Sequence, residues 1–202
     1  MSPLSSGDGS VDPDLDLVLK LQADDEDALR LIMAQYKDPL FGFIYRHVGN
    51  QTDAAEILEE TFVKVFLNRQ KFKPKAKFRT WLYTIATNLC RDWARRHKRK
   101  PATPVGEIFE NEIAEGVERD LLLPRPSSPT ADAQESEEAL MLRRAIDLLP
   151  HDLKTAIILF SLEGHSQEET AEMLGCSPKA VETRVYRGKK KLKALLVSTI
   201  DR

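Results

Sequence analysis

Cations and aromatic rings are interleaved near the middle of the chain, and this mixture suits an unpaired nucleic-acid strand. Trp81 follows the lysine-rich run Lys71–Lys77, and Trp93 lies within the basic run Arg91–Lys100. Bases stack on rings, while Lys and Arg neutralise phosphates. The tryptophans recur with apolar residues at every fourth position, a spacing that more often marks the buried face of a helix. The cations are therefore the stronger candidates for contact.

A second group of cations lies near the C-terminus, in a segment patterned as helix, short turn and helix. Ser166–Leu174 predicts the first helix, and Gly175 and Cys176 the turn. Ser177 is a suitable N-cap, and Pro178 suits the first position of the second helix. A helix-turn-helix places its second helix in the major groove. The alternative is an ordinary helical hairpin with a solvated basic face.

Side chains of this second helix divide between bases and phosphates. Arg184 and Arg187 can approach base edges or phosphates, and Glu182 can accept from a cytosine amino group. The later lysines suit phosphates, which position a protein without specifying sequence. The predicted contacts with duplex DNA are Ser177, Lys179, Ala180, Glu182, Thr183, Arg184, Arg187, Lys190 and Lys191.

Catalytic and metal-binding patterns are not found in the sequence. The four histidines are isolated, and Cys90 and Cys176 are far apart, so neither a zinc site nor a disulfide is indicated. The acidic residues Asp24–Asp27 suit the start of a helix better than a metal. We therefore expect no catalytic residue, no metal, no cofactor and no enzymatic activity. Without a signal segment or a long apolar stretch, we expect a cytoplasmic protein without membrane insertion.

Helical spacing of apolar residues extends over most of the chain, and no segment alternates as a strand would, so we predict an all-α fold. Helices are expected from Asp25, with a break at Pro39, then after Asn50, and from Lys77 to Lys98. A second helical block begins near Glu135. Gly188 is expected to weaken the last helix by about 1 kcal/mol relative to Ala.

Between the two blocks, five prolines are scattered among acidic residues, a composition typical of a flexible linker. We predict two small helical domains joined by that linker. The predicted divisions are a disordered or partly helical tail over 1–24, a first domain over 25–100, a Pro-rich acidic linker over 101–134 and a second domain over 135–202.

Two motifs resemble one known family. Asp53–Phe62, followed by Phe78–Asn88 and then Asp92, closely resembles domain two of the extracytoplasmic-function (group IV) sigma factors of the sigma-70 family. Leu148–Pro150 and Ser177–Arg187 are similar to their domain four. The resemblance implies a helical bundle for the first domain, a helix-turn-helix for the second, and binding to core RNA polymerase and promoter DNA.

The resemblance also implies a role for each block. Domain two would dock on the beta-prime clamp through Asp53, Glu56, Glu59, Glu60 and Phe62. It would capture the non-template strand of the minus-ten element through Lys73, Lys75, Lys77, Arg79, Asn88, Arg91, Asp92, Arg95 and Arg96. Domain four would sit on the beta flap and read the minus-thirty-five duplex. The linker would thread the polymerase channel used later by RNA.

The resemblance also implies that an inhibitory partner regulates the protein, and two alternative functions remain open. An anti-sigma factor would hold the protein inactive, and a membrane-bound one would tether it to a membrane indirectly. The first alternative is a helix-turn-helix regulator that is not a polymerase subunit. The second is a sigma mimic that binds an anti-sigma factor without touching DNA, but such a protein would lack the basic positions present here.

Overall fold

The computed structural model describes residues 12–97 and 137–200, and all the regular structure in these ranges is helical. The N-terminal module contains α1 (Leu15–Gln22), α2 (Glu26–Val48), α3 (Gln51–Asn68), a short 3-10 turn (Arg69–Lys71) and α4 (Phe78–His97). The C-terminal module contains α5 (Glu137–Asp147), α6 (His151–Ile157) with a π turn over Ile158–Leu162, α7 (Gln167–Leu174) and α8 (Pro178–Ile200). The all-α prediction is confirmed, whereas the predicted linker over 101–134 lies outside the described residues.

Side-chain caps start the helices where the sequence predicts them. The Asn50 side chain accepts from the backbone N–H of Thr52 at 2.8 Å, which begins α3. Ser166 and Glu169 form a reciprocal capping box at the start of α7. The Ser177 hydroxyl accepts from Ala180 N at 3.2 Å ahead of α8. These interactions satisfy backbone donors that a helix leaves free at its N-terminus.

Pro39 lies inside α2, and the helix continues through it, so the expected break is wrong. Proline removes one hydrogen bond from a helix interior, which is a real cost. However, Tyr36, Leu40 and Phe43 are buried on both sides of it. Burial of these apolar groups against the core stabilises one continuous helix.

Gly188 allows α8 to cross close to α6. A Cβ atom at Gly188 would lie 2.8 Å from Cγ1 of Ile157 and 3.2 Å from its Cδ1, and such contacts are too short. The helix is continuous from Pro178 to Ile200. We therefore expect packing between the helices to outweigh helix propensity at this position.

The two modules pack against each other through α4, α6 and α7. Ile158, Leu159 and Met173 of the C-terminal module extend the core of the N-terminal module. Arg46 forms an ion pair with Glu163 across the contact. This contact between the modules is therefore apolar at its centre and includes a charged pair.

Candidate nucleic-acid interface

A cleft of about 300 Å³ lies between α3 and α4. Its lining consists of Lys64, Asn68, Lys71, Trp81, Ile85, Asn88, Leu89 and Asp92. Rings and apolar side chains therefore share the lining with two lysines, two amides and a carboxylate. This combination matches an unpaired base, which requires a stacking surface and polar groups for its edge.

Trp81 contributes the aromatic surface of the cleft. Its ring lies 5.5 Å from that of Phe72 and 5.9 Å from that of Phe78, which support it from the core side. The side chain is half-buried, so its role is divided between the core and the cleft. Trp93 instead stacks on His97, with ring centroids 4.4 Å apart. The stripe of tryptophans predicted as core thus lies at the edge of the core.

Polar groups of the cleft fall into two sets. The Asn68 amide is held in place, because it donates to Lys64 O at 2.8 Å and accepts from Lys71 Nζ at 2.8 Å. In the described ranges, the side chains of Asn88 and Asp92 make no hydrogen bond or ion pair, and both are exposed. Their donors and acceptors remain available to a ligand.

The predicted minus-ten residues occupy three places. Asp92, Arg95 and Arg96 line a wider groove that continues from the cleft. Arg91 is half-buried one residue before Asp92, and Lys73 and Lys75 are exposed on the segment before α4.

Lys77 and Arg79 face the C-terminal module instead. Lys77 Nζ lies 3.1 Å from Glu169 Oε1, and Arg79 donates to Glu163 O at 3.3 Å. The structure therefore brings four of the nine predicted strand-binding residues, Asn88, Asp92, Arg95 and Arg96, to the cleft and its groove, while Lys77 and Arg79 join the contact between modules.

The outer face of α8 carries the predicted duplex contacts. Lys179 pairs with Glu182 at 2.9 Å, and Arg184 donates to Cys176 Sγ at 3.6 Å from a half-buried position. Thr183, Arg187 and Lys190 are exposed, whereas Ala180 and Lys191 are half-buried. Val181, Val185 and Leu192 form the buried face. A basic exposed face on a capped helix is suited to a DNA groove.

The predicted clamp-docking residues on α3 are mostly exposed. Glu56, Glu59 and Glu60 face outward, and Asp53 is half-buried. Phe62 differs from the expectation, because its side chain is 5% exposed and lies in the core, away from any partner.

Three other apolar residues on α3 are exposed, and the sequence analysis missed them: Val63, Phe66 and Leu67. Their exposure could have been predicted, because these apolar residues lie outside the main apolar stripe of the amphipathic helix.

Buried histidines line the contact between the modules. Burial, and to a smaller degree the ammonium of Lys154, which donates to His47 O at 3.0 Å, together lower the pKa of His47 to about 3. Burial also lowers the pKa of His165 to about 4, and its ring lies 4.9 Å from that of Tyr83. Both imidazoles are therefore neutral at pH 7, and neither carries a charge into the interface.

Two helical modules with separate cationic surfaces, one of them on a helix-turn-helix, define an all-helical DNA-binding protein. Residues 32–100 match the family Sigma-70 region 2, and residues 139–192 match the family Sigma-70, region 4. The ECF RNA polymerase sigma-E factor of Haemophilus influenzae is 32% identical over 173 residues, which cover 86% of this chain and 89% of that protein.

Solved structures share the fold. CnrH in complex with the cytosolic domain of CnrY superposes with a TM-score of 0.65 at 24% identity, over 92% of this chain and 97% of that chain. The sigma factor RpoE in complex with the anti-sigma factor NepR from Bartonella quintana gives a TM-score of 0.55 at 22% identity, over 93% and 97%.

The chain belongs to the extracytoplasmic-function sigma factors of the sigma-70 family. Sigma factors are transcription-initiation factors that act with core RNA polymerase on promoter DNA. This assignment excludes the alternative of a helix-turn-helix regulator that is not a polymerase subunit. In the described ranges, no helix is long and apolar enough to cross a membrane.

Proposed function

We propose that the two modules divide promoter recognition between them. The cleft between α3 and α4 holds an unpaired base of the non-template minus-ten strand, and α8 reads the minus-thirty-five element as duplex. The observation that carries the proposal is the composition of the cleft, in which Trp81 shares one lining with Asn88 and Asp92, whose side chains make no hydrogen bond or ion pair within residues 12–97 and 137–200.

The physics of strand capture fits this cleft. Taking a base out of the stack costs a few kcal/mol, and stacking on an aromatic ring returns about 1–3 kcal/mol. Trp81 supplies the ring, while Asn88 and Asp92 supply donors and acceptors for the base edge. Arg95 and Arg96, on the continuing groove, neutralise the phosphates that follow. Strand opening thus requires binding energy alone, and the chemistry of RNA synthesis belongs to the polymerase.

The helix α8 contacts the minus-thirty-five duplex in this proposal. Arg187 is exposed and unpaired in the described part of the chain, so its guanidinium is available to a guanine edge or a phosphate. Arg184 is held near Cys176 at the turn, where the first residues of a recognition helix meet base edges. Lys190, further along, suits a phosphate. The C-terminal module would bind this element while resting on the beta flap.

We propose that α3 binds the polymerase. Its exposed carboxylates, Glu56 to Glu60, are followed along the helix by the exposed apolar residues Val63, Phe66 and Leu67. A surface with apolar residues bordered by charges is typical of a protein interface. We assign this face to the beta-prime clamp, with the carboxylates steering and the apolar residues supplying most of the affinity.

We propose that an inhibitory partner regulates the activity of this protein. The Bartonella quintana neighbour was solved together with an anti-sigma factor. We assign an anti-sigma factor to this chain as well, either free or bound to a membrane. With the polymerase as its partner, the protein works in the cytoplasm and is not itself an enzyme.

Permanganate footprinting tests whether the N-terminal module captures the unpaired strand while the C-terminal module binds the duplex, because permanganate oxidises unpaired thymines. Reversing three cations, Arg91→Glu with Arg95→Glu and Arg96→Glu, should abolish thymine reactivity near the start site while minus-thirty-five protection persists. A variant with the same change in charge, Lys20→Glu with Arg30→Glu and Lys37→Glu on exposed positions of α1 and α2, is the control and should melt DNA normally. Unaltered reactivity in the first variant would refute the strand-binding role.

A further inference from the structure

The 3-10 turn Arg69–Lys71 and the Phe72 that follows it form one wall of the cleft. Lys71 lines the cleft directly. Phe72 is 4% exposed, and its ring contacts Trp81, which supplies the stacking surface. A shift of this turn would therefore move both a cation and the support of the aromatic ring.

A side chain from α1 holds this turn. Gln22 Nε2 donates to Arg69 O at 2.8 Å and to Phe72 O at 3.1 Å, so one amide spans the turn on both sides of Lys71. In return, Gln70 Nε2 donates to Gln22 O at 2.6 Å. Arg69 O also accepts from Phe72 N at 3.3 Å, so the Gln22 amide adds a second donor there and supplies a side-chain donor to Phe72 O.

The rest of the N-terminal segment fixes Gln22 in place. Val18 and Leu21 are buried with α2 in the core, so α1 is anchored by its apolar face. Arg69 donates through Nε to Asp24 Oδ1 at 2.9 Å, which ties the turn to the residues after α1. At the other end, Asp12 accepts from Phe78 N at 2.6 Å and caps α4. The segment thus contacts the cleft-bearing helix and the cleft-forming turn together.

From this geometry we infer that Gln22 is a positioning residue for base recognition: its amide fixes the Arg69–Phe72 turn so that Lys71 and Trp81 present one defined cleft to the minus-ten strand. The inference rests on the proposed function of that cleft. Recognition of a base edge depends on atoms held to a fraction of an ångström, and supporting hydrogen bonds provide that precision. No function was assigned from the sequence to the N-terminal segment that contains Gln22.

The test uses the full chain assembled with core polymerase. The probe is a pool of single-stranded DNA oligonucleotides randomised over six positions, from which bound molecules are sequenced. Wild-type holoenzyme should prefer one base by about tenfold at the position held in the cleft. Gln22→Met keeps the size of the side chain but removes its donors, and it should reduce that preference to about twofold or less, on the same scale. Preferences at the other positions should persist.

Gln35→Met is the matched control. Gln35 Nε2 donates to Asp14 Oδ1 at 2.8 Å, so this change also removes an amide hydrogen bond to the N-terminal segment, but it leaves the turn untouched. Its base profile should equal that of the wild type. Gln70→Ala, which alters an exposed side chain and removes only the returning hydrogen bond, should flatten the same position to a smaller degree. If Gln22→Met does not fold, Gln70→Ala still tests the inference.

A wild-type profile in both Gln22→Met and Gln70→Ala would overturn the inference. Equal flattening in Gln22→Met and Gln35→Met would also overturn it, because the effect would then come from loosening of α1 in general. A wild-type holoenzyme without any base preference in the pool would instead overturn the proposed function, and the inference with it. The two failures are therefore distinguishable.

Discussion

Gly188 shows how one residue can reverse an argument made from propensity. Glycine is a poor helix former, and Ala is better by about 1 kcal/mol in an exposed helix. At this position, however, α8 approaches the side chain of Ile157 so closely that a methyl group has no room. Overpacking of this kind costs about 1–3 kcal/mol. The contact between α6 and α8, which positions the DNA-reading helix, depends on the absence of a side chain.

Gly188→Ala should therefore lower the urea midpoint of unfolding, even though it improves helix propensity. Gly42→Ala is the matched control, because a Cβ there would meet only the flexible Arg46 guanidinium at 3.6 Å. That control should leave stability unchanged or raise it by about 0.5–1 kcal/mol. Equal stabilisation by both substitutions would contradict the packing argument.

The charged site residues could be predicted from the sequence because type and position along a helix are local information. Arg187 and Lys190 are exposed on α8 as their place on the polar face of that helix requires. Helical spacing places Phe62 on the apolar face of α3, where the structure buries it; its docking role came from the resemblance to the family. Which apolar face enters the core depends on the neighbours of α3, and these are set by tertiary packing.

At the scale of the elements, capping residues made most helix boundaries predictable. Asn50, Ser166 and Ser177 each start a helix as their side chains require. Pro39 misled the prediction, since burial of its neighbours decides the outcome and burial is not a local property. The contact of Gln22 with the turn joins residues 47 and 50 positions apart, and no spacing rule signals such a pair.

The exposed apolar face of α3 gives a prediction at the same scale. Leu67 is 68% exposed, so Leu67→Asp should leave the fold intact and weaken association with core polymerase by about tenfold or more, as loss of a central apolar contact does. Leu31→Asp, at a leucine of α2 that is 55% exposed, is the control. Affinity can be measured by competition against labelled wild-type protein. Equal affinity for both variants would place the docking surface elsewhere.

At the scale of the whole molecule, the two modules rest on each other. Lys77 and Arg79, both predicted strand contacts, are engaged by Glu169 and by the backbone of Glu163. Under the proposed function, reading two elements of one promoter requires these contacts to break, because the strand and the C-terminal module would compete for the same cations. The sequence could not reveal this arrangement, since the patterns within each module are independent of their mutual packing.

We propose that the two modules, which pack together in the free chain, separate to read the two elements of one promoter. Energy transfer between dyes on Lys37→Cys and Lys193→Cys, both exposed positions, measures their separation. Burial raises the pKa of Cys90 to about 12 and keeps that thiol from reacting, and Cys176→Ser removes the other. Transfer should be high in the free chain and fall when core polymerase and promoter DNA are both added. Unchanged transfer in a labelled protein that still directs run-off transcription would contradict the account.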